Sequence, residues 1–224
     1  MPSSSSMRFA INLGNALLAE QSATGELQGL TVNLARRIAR SCQQTERLKP
    51  YSAAKRIVED APNNQWDIAF LAVDPARENE LCFTTPYLTI DCTLLVRRCS
   101  EVSSVKEMDR EGVTINVGKD SAYSLPLMRT LKHARLNEYP TTQQALSAFL
   151  AGEGDMVANI RQLLEAAALQ NGAVRLLPDN YSQIQQAICV PRTAPQYFEQ
   201  VEALVAQWQQ DGTLAALVAR YIYA

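Results

Sequence analysis

The chain predicts an α/β fold built on largely parallel sheets, and three observations carry that expectation. Residues 66–73 (WDIAFLAV) are nearly all apolar, as a strand covered on both faces must be. Segments of strand length alternate along the chain with segments whose apolar residues recur every three or four positions. In one of these, Leu30, Leu34, Ala35, Ile38 and Cys42 share a helical face, while Arg36, Arg37 and Arg40 fall on the opposite, solvated side. That basic cluster is therefore read as helix surface.

In order along the chain, residues 8–13 alternate and break at Gly14 and Asn15, a strand running into a loop. Thr24, Gly25 and Glu26 form a turn before the helix from Leu30. The buried strand 66–73 and a strand at 93–96 come next. A strand at 113–117 then runs into GKDSAYS and a helix to about His133, with Pro126 near its first turn. Thr142 caps a helix carrying Ala145, Leu146, Phe149 and Leu150. A strand at 156–160, a helix at 162–169 and strands at 174–177 and 185–190 follow. Pro195 opens a helix with Tyr197, Val201, Leu204, Val205 and Trp208 on its apolar side. Asp211 and Gly212 break it, and a last helix carries Leu214, Leu217, Val218 and Tyr221. Sheets of this kind bind ligands beyond the carboxyl ends of their strands.

The 224 residues suit one large domain or two lobes, since a lobe of roughly 110 residues buries its own core. An apolar share of 47% with 20% charged residues is that of an ordinary globular chain. A formal net charge of −2 carries no nucleic-acid footprint. No apolar run approaches the ~20 residues that span a bilayer. The opening, MPSSSSMRFAINLG, has no basic region, apolar core or cleavage site of a signal peptide. Two compartments stay open: periplasmic if a leader has been removed, cytoplasmic if the chain is complete. Ser3 to Ser6 read as a disordered tail or the remnant of a tag. The cysteines are Cys42, Cys82, Cys92, Cys99 and Cys189; an odd number without a CxxC argues for a reducing compartment and against a disulfide framework. Most are expected to be small buried apolar residues.

Catalytic and cofactor signatures are missing. There is no GxGxxG, GxxxxGK[ST] or GxSxG, and the single histidine, His133, falls at a helix end. No His, Cys or carboxylate residues cluster at metal-ligand spacing, so no metal, cofactor or catalytic residue is expected. Residues 103–106 (SSVK) match SxxK, but no SDN or KTG follows, and the match is read as chance.

The most informative stretch is 74–87, DPARENELCFTTPY. It resembles the segment T-P-E-R-x(5)-F-S-x-P-Y of the bacterial extracellular solute-binding proteins, family 3. Pro75, Arg77, Phe83, Pro86 and Tyr87 match at identical spacing, and Thr84 stands for the Ser. GELQGLTVNLARRIA is similar to the family's G-x-x-x-G-F-x-V-D-L-A segment, with Asn33 in place of the Asp. WDIAFLA resembles the strand before the family's arginine, VTINVGKDSAY the V-G-V-x-x-G-S turn, and TTQQALSAFLAGEGDMVA the S-x-x-E-A-L-x-A-L-x-x-G-x-V-D-A block. Five motifs in the right order cover almost the whole chain.

The resemblance implies a two-lobed periplasmic-binding-protein type II fold. Each lobe would be a mostly parallel sheet flanked by helices, with two crossover strands as hinge. Lobe one would comprise residues 1–95 with 190–224, and lobe two residues 96–189. The crossings would lie near Leu94 to Arg98 and Ala187 to Arg192, and hinge bending would close the lobes on a ligand. It also implies that Arg77 holds the ligand's α-carboxylate. Arg77 follows a buried strand, and a planar guanidinium matches a carboxylate bidentately. Read alone, without the motif, Arg77 is better suited to a surface salt bridge with Glu78 or Glu80.

In lobe two, Gly118 to Ser121 precede a helix whose N–H groups attract anions. Asp120 or Ser121 caps that helix, or Gly118, Asp120, Ser121, Ala122 and Tyr123 meet the ligand. Asn12, Gly14 and Asn15 either form a turn or touch the ligand's side chain. One of Gln183, Gln185 and Gln186 faces the ligand, or they form a polar strand edge; Gln185 is the choice carried forward.

Departures from the family bear on ligand charge. Amino-acid binders place an ammonium-pairing Asp five residues after the V-D Asp; here Asp155 plus five is Ile160, flanked by Asn159 and Arg161. The family's hydroxyl-bearing positions before the arginine read Phe70, Leu71 and Ala72. Asp120, or backbone carbonyls near Ala72, would have to receive an ammonium. Arg161 either starts a solvated helix or points inward as a second cation. Simple carboxylates are therefore expected to bind at least as well as the matching amino acids.

The leading expectation is a monomeric binder of a small carboxylate, amino acid or organic anion, serving the membrane subunits of an ABC importer. A cytoplasmic sensor of the same fold is the alternative. An enzyme resembling cyclohexadienyl dehydratase would need acid–base groups, and only Lys119, Asp120 and Tyr123 offer themselves.

Overall fold

A computed structural model describes residues 6–222. Of the serine run, Ser3 to Ser5 lie outside the described residues, and Ser6 opens the first strand instead of belonging to a tail. In chain order the first elements are β1 (Ser6–Asn12), a hairpin of β2 (Glu20–Gln21) and β3 (Leu27–Gln28), α1 (Leu30–Ser41), β4 (Thr45–Tyr51), α2 (Ala54–Asp60), β5 (Ile68–Ala72) and β6 (Leu81–Phe83). The long strand β7 (Leu88–Arg97) leads to β8 (Thr114–Gly118), α3 (Ser124–Thr130), β9 (Arg135–Tyr139), α4 (Thr142–Leu150), β10 (Met156–Ile160), α5 (Arg161–Gln170) and β11 (Val174–Leu176). A second long strand, β12 (Ser182–Pro191), leads to α6 (Phe198–Gln210) and α7 (Thr213–Ile222).

The chain folds as two compact units, one running to Leu88 and resuming at Gln185, the other spanning Thr89–Ile184. The divisions fall near the starts of β7 and β12, several residues before the crossings expected at 95/96 and 189/190. The reason is the length of both strands: ten residues each, most of β7 packs in the second unit and most of β12 in the first.

In the first unit, β1 lies between β4 and β5 and is parallel to both. The antiparallel β12 borders β5 and carries β6 on its end. All five residues of β5 are buried, which is why its sequence shows no polar alternation. Ala10, Ala69, Leu71 and Cys189 of the sheet pack with Tyr51, Ile57, Trp66 and Leu81. Trp66 is fully buried, and its indole N–H donates to the Ile57 carbonyl at 3.0 Å. Asp67, just before β5, accepts from the Arg8 backbone N–H at 2.7 Å and from its guanidinium at 2.6 Å, fixing β5 against β1 at its amino end. Asp67 is buried while Arg8 stays partly exposed, so removing one partner costs about 1–3 kcal/mol. Gly29, before α1, has φ of 117°, and a Cβ there would stand 2.6 Å from the Leu18 carbonyl oxygen, so glycine alone fits.

In the second unit, β8 lies between β10 and β9, parallel to both, and β10 runs antiparallel to β7. Leu95, Val157 and Val174 of this sheet pack against Ala145 and Phe149 of α4 and Leu164 of α5. The cap of α4 is Thr141, one residue before the expected Thr142: its Oγ1 accepts from the Gln144 N–H at 3.1 Å. α3 ends at Thr130, before His133, because Asp109 gathers the N–H groups of Lys132, His133 and Ala134 onto its carboxylate. Those three donors hold the Asp109 carboxyl below the usual carboxylate range. Among the described residues no helix is long and apolar enough to cross a membrane.

Candidate ligand-binding site

In the first unit the site residues gather at the carboxyl end of β5. Asp74 caps a one-turn 3-10 helix, Pro75–Arg77, by accepting from the Ala76 N–H at 2.9 Å. That turn reverses the chain, so Arg77 reaches back and its Nη1 donates to the Ala72 carbonyl at 2.9 Å. The guanidinium is thereby held over the end of the strand. It also lies near Cys189 on β12: burial raises the Cys189 thiol pKa strongly, and the Arg77 charge opposes that rise. Gln186 pairs in register with Ala72 and is 4% exposed, whereas Gln185 is exposed and offers only its carbonyl, to the Val73 N–H. Gln186 is thus the buried glutamine of the two. The pleat could have revealed it, since buried Ile184, Gln186 and Ile188 share one face of β12. Thr84 and Tyr87 of the motif are buried; Thr84 exchanges bonds with the Ile188 backbone, and the Tyr87 ring meets Phe70 edge-on.

Asn12 and Asn15 act as turn residues. The Asn12 Oδ1 accepts from Gly14 and the Asn15 Oδ1 from Leu17, closing the bend after β1.

In the second unit the turn after β8 is held largely through its backbone. The Gly118 N–H donates to the Tyr123 hydroxyl at 2.9 Å, the Lys119 N–H to the Tyr139 carbonyl, and the Tyr123 carbonyl accepts from the Tyr181 hydroxyl at 2.8 Å. A Cβ on Gly118 would come within 2.7 Å of the Tyr123 hydroxyl and 2.9 Å of the Thr142 nitrogen, so this approach needs glycine. Asp120 takes the left-handed conformation, with φ of 54°. Ser121 acts locally: its Oγ accepts from the Ser124 N–H at 3.3 Å and its carbonyl from the Ser124 hydroxyl. Ala122, half-buried, lies between these anchors. Tyr181, absent from the sequence reading, is a positioning residue for this turn.

Arg161, the first residue of α5, turns to its own unit. Its Nε and Nη2 bond the Asn180 Oδ1 at 2.9 and 2.6 Å, Nη2 reaches the Pro178 and Asp179 carbonyls, and Nη1 stands 3.6 Å from Glu165. The same 177–180 loop is tied by the Thr93 hydroxyl to the Asp179 carbonyl, and the Asp179 carboxylate accepts from the Ser104 hydroxyl and the Val105 N–H. The Ser104 bond, first among these, lowers the Asp179 pKa. Arg161 therefore clamps the 177–180 loop to the start of α5. Asn159 is 2% exposed; its Oδ1 accepts from the Ile160 N–H at 2.8 Å, while its Nδ2 has no protein partner.

Among the described residues no group of three or more His, Cys, Asp or Glu side chains is arranged so that it could hold a metal ion. The five cysteines are free thiols. Two α/β units, joined by two long strands and each ending a central strand in polar, partly backbone-built loops, define a binding fold. The model of the bacterial extracellular solute-binding proteins, family 3, matches residues 8–224, and the chain belongs to that family. It is 26% identical over 165 residues to the glutamine-binding protein of Geobacillus stearothermophilus, covering 71% of this chain and 62% of that protein. To the ABC transporter glutamine-binding protein GlnH of Bacillus subtilis it is 21% identical, covering 89% and 74%. Among solved structures, one described as a binding component of an ABC transporter from Wolinella succinogenes, complexed with lysine, superposes with a TM-score of 0.86 at 21% identity, covering 98% of this chain and 96% of that one. An ancestral amino-acid-binding protein described as a precursor of cyclohexadienyl dehydratase superposes with a TM-score of 0.82 at 17% identity, covering 97% and 95%. The fold is that of the type II periplasmic binding proteins.

Proposed function

We propose that this chain captures a small amino acid and delivers it to an ABC importer, with Arg77 as the anchor for the ligand's carboxylate. The observation that carries the reading is the Arg77 guanidinium tethered to the Ala72 carbonyl beyond the end of β5. Parallel strands place ligands there, and a guanidinium fork answers a carboxylate. Relatives named for binding glutamine support an amino-acid ligand. A calorimetric screen of the twenty amino acids and succinate tests it, with binding by at least one amino acid expected and none overturning the reading.

The carboxylate reading keeps one observation in its favour: Ile160 is buried where the family's amino-acid binders carry an acidic partner for the ammonium. An unpaired buried ammonium costs several kcal/mol. Succinate against aspartate, at one pH and salt, separates the two; a preference for aspartate beyond tenfold, about 1.4 kcal/mol, rejects the simple carboxylate. The proposal is binding without catalysis. Of the acid–base candidates, Tyr123 already shares its hydroxyl with Gly118 and Thr142. A periplasmic location is proposed from the family, and a leader encoded ahead of the chain would support it.

A further inference from the structure

The turn that carries Arg77 is gripped from another part of the first unit, by Arg192. β6 pairs with the end of β12, Leu81 standing opposite Pro191. Pro191 has no N–H to give, and the pairing continues one residue on, where the Arg192 N–H donates to the Glu80 carbonyl at 2.8 Å. That bond sets the Arg192 side chain beside the segment that follows Arg77. Its Nε and Nη2 donate to the Glu78 carbonyl at 3.0 and 2.7 Å, a fork closed on one oxygen, and Nη2 reaches the Leu81 carbonyl at 3.4 Å. One residue thus holds the carbonyls of 78, 80 and 81. All three are main-chain acceptors, so the grip fixes the path of the chain whatever the side chains of Glu78 and Glu80 do. Glu78, Asn79 and Glu80 are exposed, so hydrogen bonds and not core packing must hold this stretch. Within it, the Arg77 N–H donates to the Asp74 carbonyl at 2.9 Å and the Arg77 carbonyl accepts from the Glu80 N–H at 3.1 Å. Glu80 therefore ties Arg77 to Arg192 through consecutive main-chain bonds.

We propose that Arg192 is a positioning residue for the carboxylate anchor: by gripping the turn after Arg77 it fixes the place from which the Arg77 guanidinium reaches the Ala72 carbonyl. The inference rests on Arg77 as the anchor proposed above and deepens that reading. A guanidinium already held in place loses less freedom when a carboxylate arrives, so a supporting residue adds to affinity by acting through Arg77. The role asks for arginine. A lysine ammonium is a single point of charge and does not reproduce a planar fork shared between the Glu78 and Leu81 oxygens.

The test reads Arg77 directly, by NMR on the isotope-labelled full chain, with its guanidinium signal assigned by its loss in Arg77→Lys. The bond to Ala72 opposes rotation about the Cζ–Nε bond of Arg77, so rotation should be slow in the wild type. In Arg192→Ala it should be at least fivefold faster, and Arg192→Lys should restore only part of the restraint. The N–H of residue 192 keeps its bond to Glu80 in each variant, so the strands stay paired. Arg8→Gln, which strips bonds from the opposite end of β5, controls for general loosening and should leave the rate within twofold of the wild type. A rate in Arg192→Ala within twofold of the wild type, or an equal acceleration in Arg8→Gln, overturns the proposal. Calorimetry with L-glutamine as probe should show affinity at least threefold weaker in Arg192→Ala and less weakened in Arg192→Lys. Faster rotation with unchanged affinity overturns the role in binding. If Arg77→Ala also binds L-glutamine as the wild type does, or the wild type does not bind it, the failure lies with the anchor or the ligand proposed above, and the rotation rates still decide whether Arg192 positions Arg77. Should Arg192→Ala fail to fold by circular dichroism, both readouts are taken from Arg192→Gln, which keeps a single amide donor.

Discussion

The two units end their central strands with different chemistry. In the first, a charged side chain stands beyond the strand: Arg77 leans back over β5, on a strand pinned at its other end by Asp67 and Arg8. In the second, the arginine that sequence made a candidate is consumed by the 177–180 loop, and what remains is backbone and neutral side chains: the Gly118 turn, the Tyr123 carbonyl tether and the Asn159 amide. A charge placed by one short turn gives strength with little shape; a loop held through main-chain bonds gives shape with little charge. The comparison teaches that charge and shape can be assigned to separate regions, and substitutions can separate them.

The largest effect is expected at Arg77. Arg77→Ala, shown to be folded by circular dichroism, should lose about 2–5 kcal/mol of affinity for whichever amino acid binds, by calorimetry, as for truncating one partner of a buried charge pair. Unchanged affinity would move the charged anchor elsewhere and dissolve the contrast. Gly118→Ala comes next: the new methyl group collides with Tyr123 and Thr142, and forcing the turn aside should cost about 1–3 kcal/mol, seen as a lower melting temperature together with weaker binding. A loss of stability alone would mean that the turn is scaffolding only.

Arg161→Gln sharpens the comparison from the other side. It strips bonds from the 177–180 loop and should cost about 1–2 kcal/mol of stability, read by denaturant unfolding, with ligand affinity within threefold of the wild type. If affinity falls far more than stability, the second unit has a charged anchor after all. The smallest effect concerns Asp179. Its folded pKa is lowered by the Ser104 hydroxyl, so its contribution is complete above the unfolded value of about 3.9 and is lost as pH falls through the folded value. The melting-temperature gap between wild type and Asp179→Asn should therefore be widest at neutral pH and close below about pH 3.9. A gap that stays constant with pH would show that the loop is held by shape alone.

Much of the fold could be read from residues that are buried on both sides. β5 is continuous in apolar character, and β10 keeps the bounds its sequence predicts, because interior strands carry few polar residues. α1 was legible because its burial has the helix's own period. The strands that escaped notice lie at edges: β4 (TERLKPY) and β9 (RLNEY) keep most side chains in half or full contact with water, and their stability comes from ladder bonds that leave no trace in hydrophobicity. The hairpin of β2 and β3 has two residues per strand, too few for any pattern. The site divided in the same way. Arg77 stands out as a candidate because its neighbours form a motif. The fate of Arg161 depended on a loop some twenty residues away in sequence, and Gln186 could be told from Gln185 only once the pleat of β12 was fixed. Tyr181 escaped because its role lies in one hydroxyl reaching a carbonyl 58 positions distant.

The turn after β8 has a consequence for how such a protein changes over generations. Its tethers run through the Gly118 and Lys119 N–H groups and the Tyr123 carbonyl, atoms that a change of side chain at Lys119 or Ala122 leaves untouched. Those two positions can therefore drift, or be randomised in a library, while the loop keeps its path. New side chains can be sampled there without first rebuilding the scaffold that presents them.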